Sequence, residues 1–189
     1  NGVFFATIRD GRTTMVTDEI ERFTAKGVLL KSGRKLQADV VVTATGFNLC
    51  VFGDIAFSVD DRPIDFAETI TYRGTMFTGV PNMAWVFGYY RASWTLRVDL
   101  VGYFICRLLR HLDQRDCKSV VPTPRPEQRD MPLSPWVAPE DFSTNYIRRA
   151  LHLLPKIGDT PEWQHTQDYW QDKDVFPTID LDDPVFVYQ

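Results

Sequence analysis

Two short stretches of this 189-residue sequence carry residue types at a spacing that suits ligand chemistry. In Asp39-Val-Val-Val-Thr-Ala-Thr-Gly46-Phe47, small residues and a glycine follow a β-branched run, so the backbone there can approach a cofactor or another domain closely. In Gly88-Tyr89-Tyr90-Arg91-Ala92-Ser93-Trp94-Thr95-Leu96, a helical pattern opens without an acidic side chain. Its free N–H groups and positive dipole end therefore suit an anionic or electron-rich ligand edge, although an ordinary helix start reads the same way. The rest of the inventory excludes more than it offers. Ser93 lacks a G-x-S-x-G setting, Cys50 has no recognisable partner, and Asp60-Asp61 and Asp182-Asp183 read as turns or solvated charge. No catalytic residue can be named from these positions.

The glycine spacing is equally exclusive. No two of the eleven glycines are separated by a single residue, so G-x-G-x-x-G is absent, and the one G-x-x-x-x-G, Gly74 to Gly79, runs into Val80-Pro81 rather than Lys and Ser or Thr. Cys50, Cys106 and Cys117 form no C-x-x-C and cannot all pair, which points to reduced thiols and a cytoplasmic setting. His111, His152 and His165 lie far apart and beside no cysteine cluster, so no metal site is expected. A formal charge of −4 argues against nucleic acid as a partner. No apolar stretch reaches membrane-spanning length, and the start at Asn1-Gly2-Val3 reads as a cut end.

The elements that must position these stretches follow from periodicity. Residues 3 to 9 suit a short helix, and Thr13 to Thr17, Ile20 to Phe23 and Gly27 to Leu30 read as a β meander broken by Gly11, Gly27 and Gly33. Residues 36 to 45 read as a strand buried on both faces of a parallel sheet, ending at Gly46 where ligand sites of α/β folds open. A hairpin is expected around Asp60-Asp61, with further strands at Thr69 to Tyr72, Met76-Phe77 and Met83 to Phe87. From about Trp94 to His111, Leu96, Leu100, Val101, Phe104, Ile105, Leu108 and Leu109 define a long amphipathic helix with Ser93 as its N-cap. Six of the twelve prolines fall between Pro122 and Pro139, a stretch expected to cross a surface in extended form. Helices are expected at Ser143 to Leu154 and Pro161 to about Asp172, followed by an irregular acidic end. The fold class is α/β, divided as 1–121, a proline-rich connector at 122–140, and a helical C-terminal tail at 141–189.

The pattern at 39 to 47 resembles the strand and Ala-Thr-Gly segment that links the two dinucleotide-binding domains of flavin-containing monooxygenases. The similarity extends through Val16 to Thr24, Gly79-Val80-Pro81-Asn82-Met83-Ala84, Gly88-Tyr89 with Ala92-Ser93-Trp94-Thr95-Leu96, Cys106-Arg107-Leu108-Leu109, and Leu154-Pro155-Lys156 with Gln167-Asp168-Tyr169. In order, these resemble the C-terminal half of a Baeyer-Villiger-type subgroup. The resemblance implies a part of a two-dinucleotide-binding, Rossmann-like flavoprotein that holds FAD and NADP(H), with both glycine-rich loops outside this chain. It implies oxygen from O2 inserted beside a small apolar ketone, or placed on a thioether sulfur or amine nitrogen, through a C4a-peroxyflavin, and no activity without the remaining N-terminal part. By similarity, Thr45 and Gly46 lie near the cofactor or domain junction, and Ala92, Ser93 and Trp94 meet the flavin ring. Arg91 stands where the subgroup shows Asn. Trp136, Trp163, Tyr169 and Trp170 suit a substrate channel or the packing of a tail. Two other readings share the plan: a non-catalytic remnant acting as an assembly domain, and a fragment of a flavin disulfide reductase. Parted from its partner domain, the chain is expected to self-associate through Val40 to Thr45 and Leu96 to Leu112.

Overall fold

The structure, a computed structural model, describes residues 2–138 and 144–189. The chain divides into two compact units at Gly46. The first opens with helix α1 (Val3–Arg9) and an antiparallel meander of β1 (Ile20–Thr24), β2 (Gly27–Leu30) and β3 (Lys35–Gln37). β2 is buried because it is the central strand, paired with β1 and β3. Gly27 is required at its start, where φ is +139° and a Cβ would sit 2.0 Å from the Leu36 carbonyl oxygen. Thr13 to Thr17 form no strand.

The buried parallel strand expected at 36 to 45 is not formed. From Ala38 to Cys50 the chain has no regular structure, and Val40 and Val42 are 78% and 83% exposed. A strand with both faces apolar needs neighbours on its edges and covers on its faces, and the described residues supply neither.

In the second unit a 3-10 turn at Val51–Asp54 precedes the hairpin of β4 (Ser58–Val59) and β5 (Arg62–Pro63). Its two-residue loop, Asp60-Asp61, has φ of +49° and +62°, the signs of a type I′ turn. β6 (Thr71–Tyr72) and β7 (Met76–Phe77) pair across a loop in which Arg73 and Gly74 also take positive φ. Met83 to Phe87 run on without forming a strand. Helix α2 (Trp94–Gln114) then buries Val101, Phe104, Leu108 and Leu112 on one stripe. It ends in a Schellman motif: Cys117 N–H reaches Leu112 O at 3.0 Å and Asp116 N–H reaches Asp113 O at 3.3 Å, with Asp116 at φ +52°.

The proline-rich stretch is anchored at both ends, and most of its described residues between the anchors are exposed. β8 (Val120–Pro122) begins it and β9 (Ser134–Pro135) lies near its end, with Trp136 and Val137 fully buried beyond. Its residues 139 and 140, like Ser143 of the helix expected next, lie outside the described residues. Helix α3 (Asn145–Ala150) passes into a 3-10 turn at Leu151–Leu153, and β10 (Lys156–Ile157) pairs with β9.

The helix expected from Pro161 to Asp172 is split into a 3-10 turn at Pro161–Trp163, a loop, and α4 (Tyr169–Val175). The Asp168 side chain accepts the Trp170 N–H and starts α4 afresh. The chain ends in β11 (Phe186–Tyr188), which pairs antiparallel with β8 and replaces the irregular end expected there. Tyr72, Met76, Val120, Phe176, Val185 and Phe186 close over the α2 stripe to form the main core.

Candidate functional site

The start of α2 is open in the way its sequence implies. Ser93 sits at the N-cap with extended backbone, but its Oγ faces Thr95 Oγ1 at 2.7 Å and no side chain caps the helix. The first turn holds no acidic residue. Ala92 and Ser93 are exposed, and Trp94 is 53% exposed. Leu96 N–H donates to Ser93 O at 3.3 Å, which leaves the Trp94 and Thr95 amides for an outside acceptor, reinforced by the dipole of a 21-residue helix.

Gly88 fixes the attitude of Trp94. A Cβ on Gly88 would lie 2.2 Å from the indole Cγ and 2.4 Å from Cδ2, so the ring rests directly on the glycine backbone. The Phe87 ring stands 5.1 Å from the Trp94 ring. Behind them, Trp136 lies 5.8 Å from Phe87 and 5.0 Å from Trp85, and stacks on His165 at 4.0 Å. Because a carbonyl only accepts, His165 Nε2–H donates to Trp136 O at 2.7 Å. Together these rings form an aromatic wall beside the helix start.

Under this wall lies a buried polar cluster. Arg97 and Asp172 are both almost wholly buried and pair at 2.5 Å, and Tyr89 OH donates to the same carboxylate oxygen at 2.7 Å. Arg97 also donates to the carbonyls of Arg73 and Thr166 at 2.7 and 3.2 Å. Its guanidinium lies 5.5 Å from the centroids of both the Tyr89 and Phe176 rings. Burial pushes the Asp172 carboxyl above its ordinary value, with the Arg97 charge opposing. Burial and the bond to Asp172 push the Tyr89 hydroxyl well up, so it stays protonated and donates.

Ala92, Ser93 and Trp94 are thus neighbours at one helix end. Thr45 and Gly46 belong to the first unit, where both are exposed. Gly46 has φ +93° and no atom within 4 Å of the position a Cβ would take, so its backbone is open to a close approach. Of the C-terminal aromatics, Trp136 and Trp163 are buried and Trp170 is 69% exposed beneath the Lys173 ammonium. Sequence pattern alone does not mark Tyr89, Arg97, Gln167 and Asp172 as site residues. One signal was present: Arg97 continues the buried stripe of Val101, Phe104, Leu108 and Leu112, so a charge stands on the apolar face.

No helix of the described residues is long and apolar enough to cross a membrane. Among the described residues, no group of three or more His, Cys, Asp or Glu is placed to hold a metal ion. No family model matches the chain, and no solved structure does.

Curated relatives match nearly all of it. It is 43% identical over 183 residues to the FAD-containing monooxygenase EthA of Mycobacterium tuberculosis, covering 97% of this chain and 36% of that protein. It is 38% identical over 185 residues to the putative FAD-containing monooxygenase MymA of the same species, covering 98% and 37%. It is 36% identical over 188 residues to the probable FAD-binding monooxygenase AlmA of an Acinetobacter species, covering 100% and 37%. These relatives are FAD-containing monooxygenases of the Baeyer-Villiger type, and the chain matches their C-terminal part. It spans just over a third of the length of these relatives.

Proposed function

We propose that this chain is the C-terminal part of an FAD- and NADPH-dependent monooxygenase that transfers one atom of O2 to a small apolar ketone, thioether or amine. It is inactive without the remaining part. The observation that carries this reading is the uncapped, acid-free and exposed start of α2 in a chain 43% identical to an FAD-containing monooxygenase. The residues present fit the cofactor. An electron-rich ring edge suits free helix amides that no acid competes for, and the open backbone at Gly46 suits a close neighbour. Thr45 and Gly46 would lie at the cofactor or domain junction, and Ala92, Ser93 and Trp94 would face the ring.

Held here, FAD would supply the activation of O2 and the oxygen transfer, with NADPH as the reductant. The chain's own residues hold and shield. The amides at the start of α2 are fixed donors, so negative charge arising on a ring edge there is stabilised without reorganisation. Phe87 and Trp94 present apolar surface that would exclude water, and the buried Trp136 ring backs Phe87. Purified at full length, the protein is expected to oxidise NADPH and take up O2 faster when a ketone or thioether is added. NADPH oxidation indifferent to every such substrate contradicts the monooxygenase reading.

A further inference from the structure

The start of α2 is tied to the stretch Thr166 to Asp172, besides the bond from Arg97 to Arg73 O. Tyr90 N–H donates to Gln167 Oε1 at 2.7 Å. Tyr89 OH and Arg97 both end on Asp172 Oδ2, and Arg97 also reaches Thr166 O. The stretch is itself fixed, because Asp168 caps α4 and Gln167 Nε2 reaches His165 Nδ1 at 3.4 Å. Gly88, which carries the Trp94 indole, immediately precedes the two tyrosines so held.

We propose that Gln167 and Asp172 are positioning residues for the helix start: through Tyr90, Tyr89 and Arg97 they set the placement of Gly88 and hence the attitude of Trp94. A buried ion pair adds little net stability over apolar packing, but its directional bonds select one geometry. With two donors sharing one carboxylate oxygen, Tyr89 and Arg97 cannot shift independently. The inference rests on the reading that this helix start faces the flavin ring.

The test uses the full-length protein with Gln167→Leu and Tyr89→Phe. Arg125→Gln serves as a control, since Arg125 binds Glu162 and Asp183 and bonds to nothing at the helix start. The readouts are FAD-induced quenching of Trp94 emission, isolated by subtracting a Trp94→Phe variant, and the flavin absorbance band. Both positioning variants are expected to keep the far-UV circular dichroism of the wild type. Each should weaken FAD binding about fivefold, the effect of one lost net hydrogen bond, and displace the flavin band. Gln167→Glu retains an acceptor for Tyr90 N–H and is expected to restore both signals. Arg125→Gln is expected to lower the melting temperature and leave both signals unchanged. Wild-type quenching and spectrum in Gln167→Leu and Tyr89→Phe would overturn the positioning role while the flavin reading stands. A wild-type protein that shows no FAD-induced change overturns that reading and the inference with it.

Discussion

Gly88 is not among the glycines with positive φ, so its lack of a side chain answers to the indole resting on it and not to its backbone. Gly88→Ala is expected to destabilise the protein by about 1–3 kcal/mol, the usual cost of overpacking, and to shift tryptophan emission as Trp94 moves toward water. The denaturation midpoint and the emission maximum check both effects. Arg97 sets a second residue-scale prediction. Asp172→Ala leaves a buried guanidinium without its counter-charge and is expected to cost about 3–5 kcal/mol in urea unfolding. Adding Arg97→Met to it is expected to recover much of that loss. A charge on the apolar stripe of α2 was visible in the sequence, but its partner lies 75 residues away, beyond any local pattern.

Among the elements, α2 was the most legible, because its apolar stripe repeats over several turns and Ser93 marks its start. Periodicity places its end near His111, short of Gln114, because the left-handed stop is Asp116 where glycine is the usual signal. The β8 and β11 pair was not legible, since a proline-bearing strand joins the chain's last residues across more than sixty positions. Arg125 locks this region by binding Glu162 at 2.6 Å and Asp183 through both carboxylate oxygens. Burial raises the Glu162 pKa, but hydrogen bonds from Gln128, its own backbone, Arg125 and Thr160 outweigh it and bring the value down to about 2. A carboxylate so depressed contributes stability in full above its ordinary 4.5, and loses it as pH falls toward about 2. Acid titration of stability is expected to be shallower across that window in Glu162→Gln; an unchanged profile speaks against the clamp.

At the scale of the whole molecule, the exposed apolar residues include Val3, Phe4 and Phe5 of α1, the run at Val40 to Val42, and Trp94, Val98, Tyr103 and Leu109 of α2. The run at 40 to 42 was read from sequence as a strand because its β-branched character is local, whereas the neighbours that would make it one are not among the described residues. The 189-residue chain is therefore expected to self-associate by light scattering and to bind an apolar dye; a strict monomer that binds none contradicts this. Of the candidate site, the helix start was legible because it depends on adjacent residues, and its supporting cluster was not because it depends on the fold. The central claim is that this chain forms part of a flavin site, and the absorbance spectrum of the purified full-length protein tests it most directly. An oxidised-flavin spectrum that NADPH bleaches and air restores is the predicted result; a colourless protein whose added FAD keeps its free spectrum would contradict it.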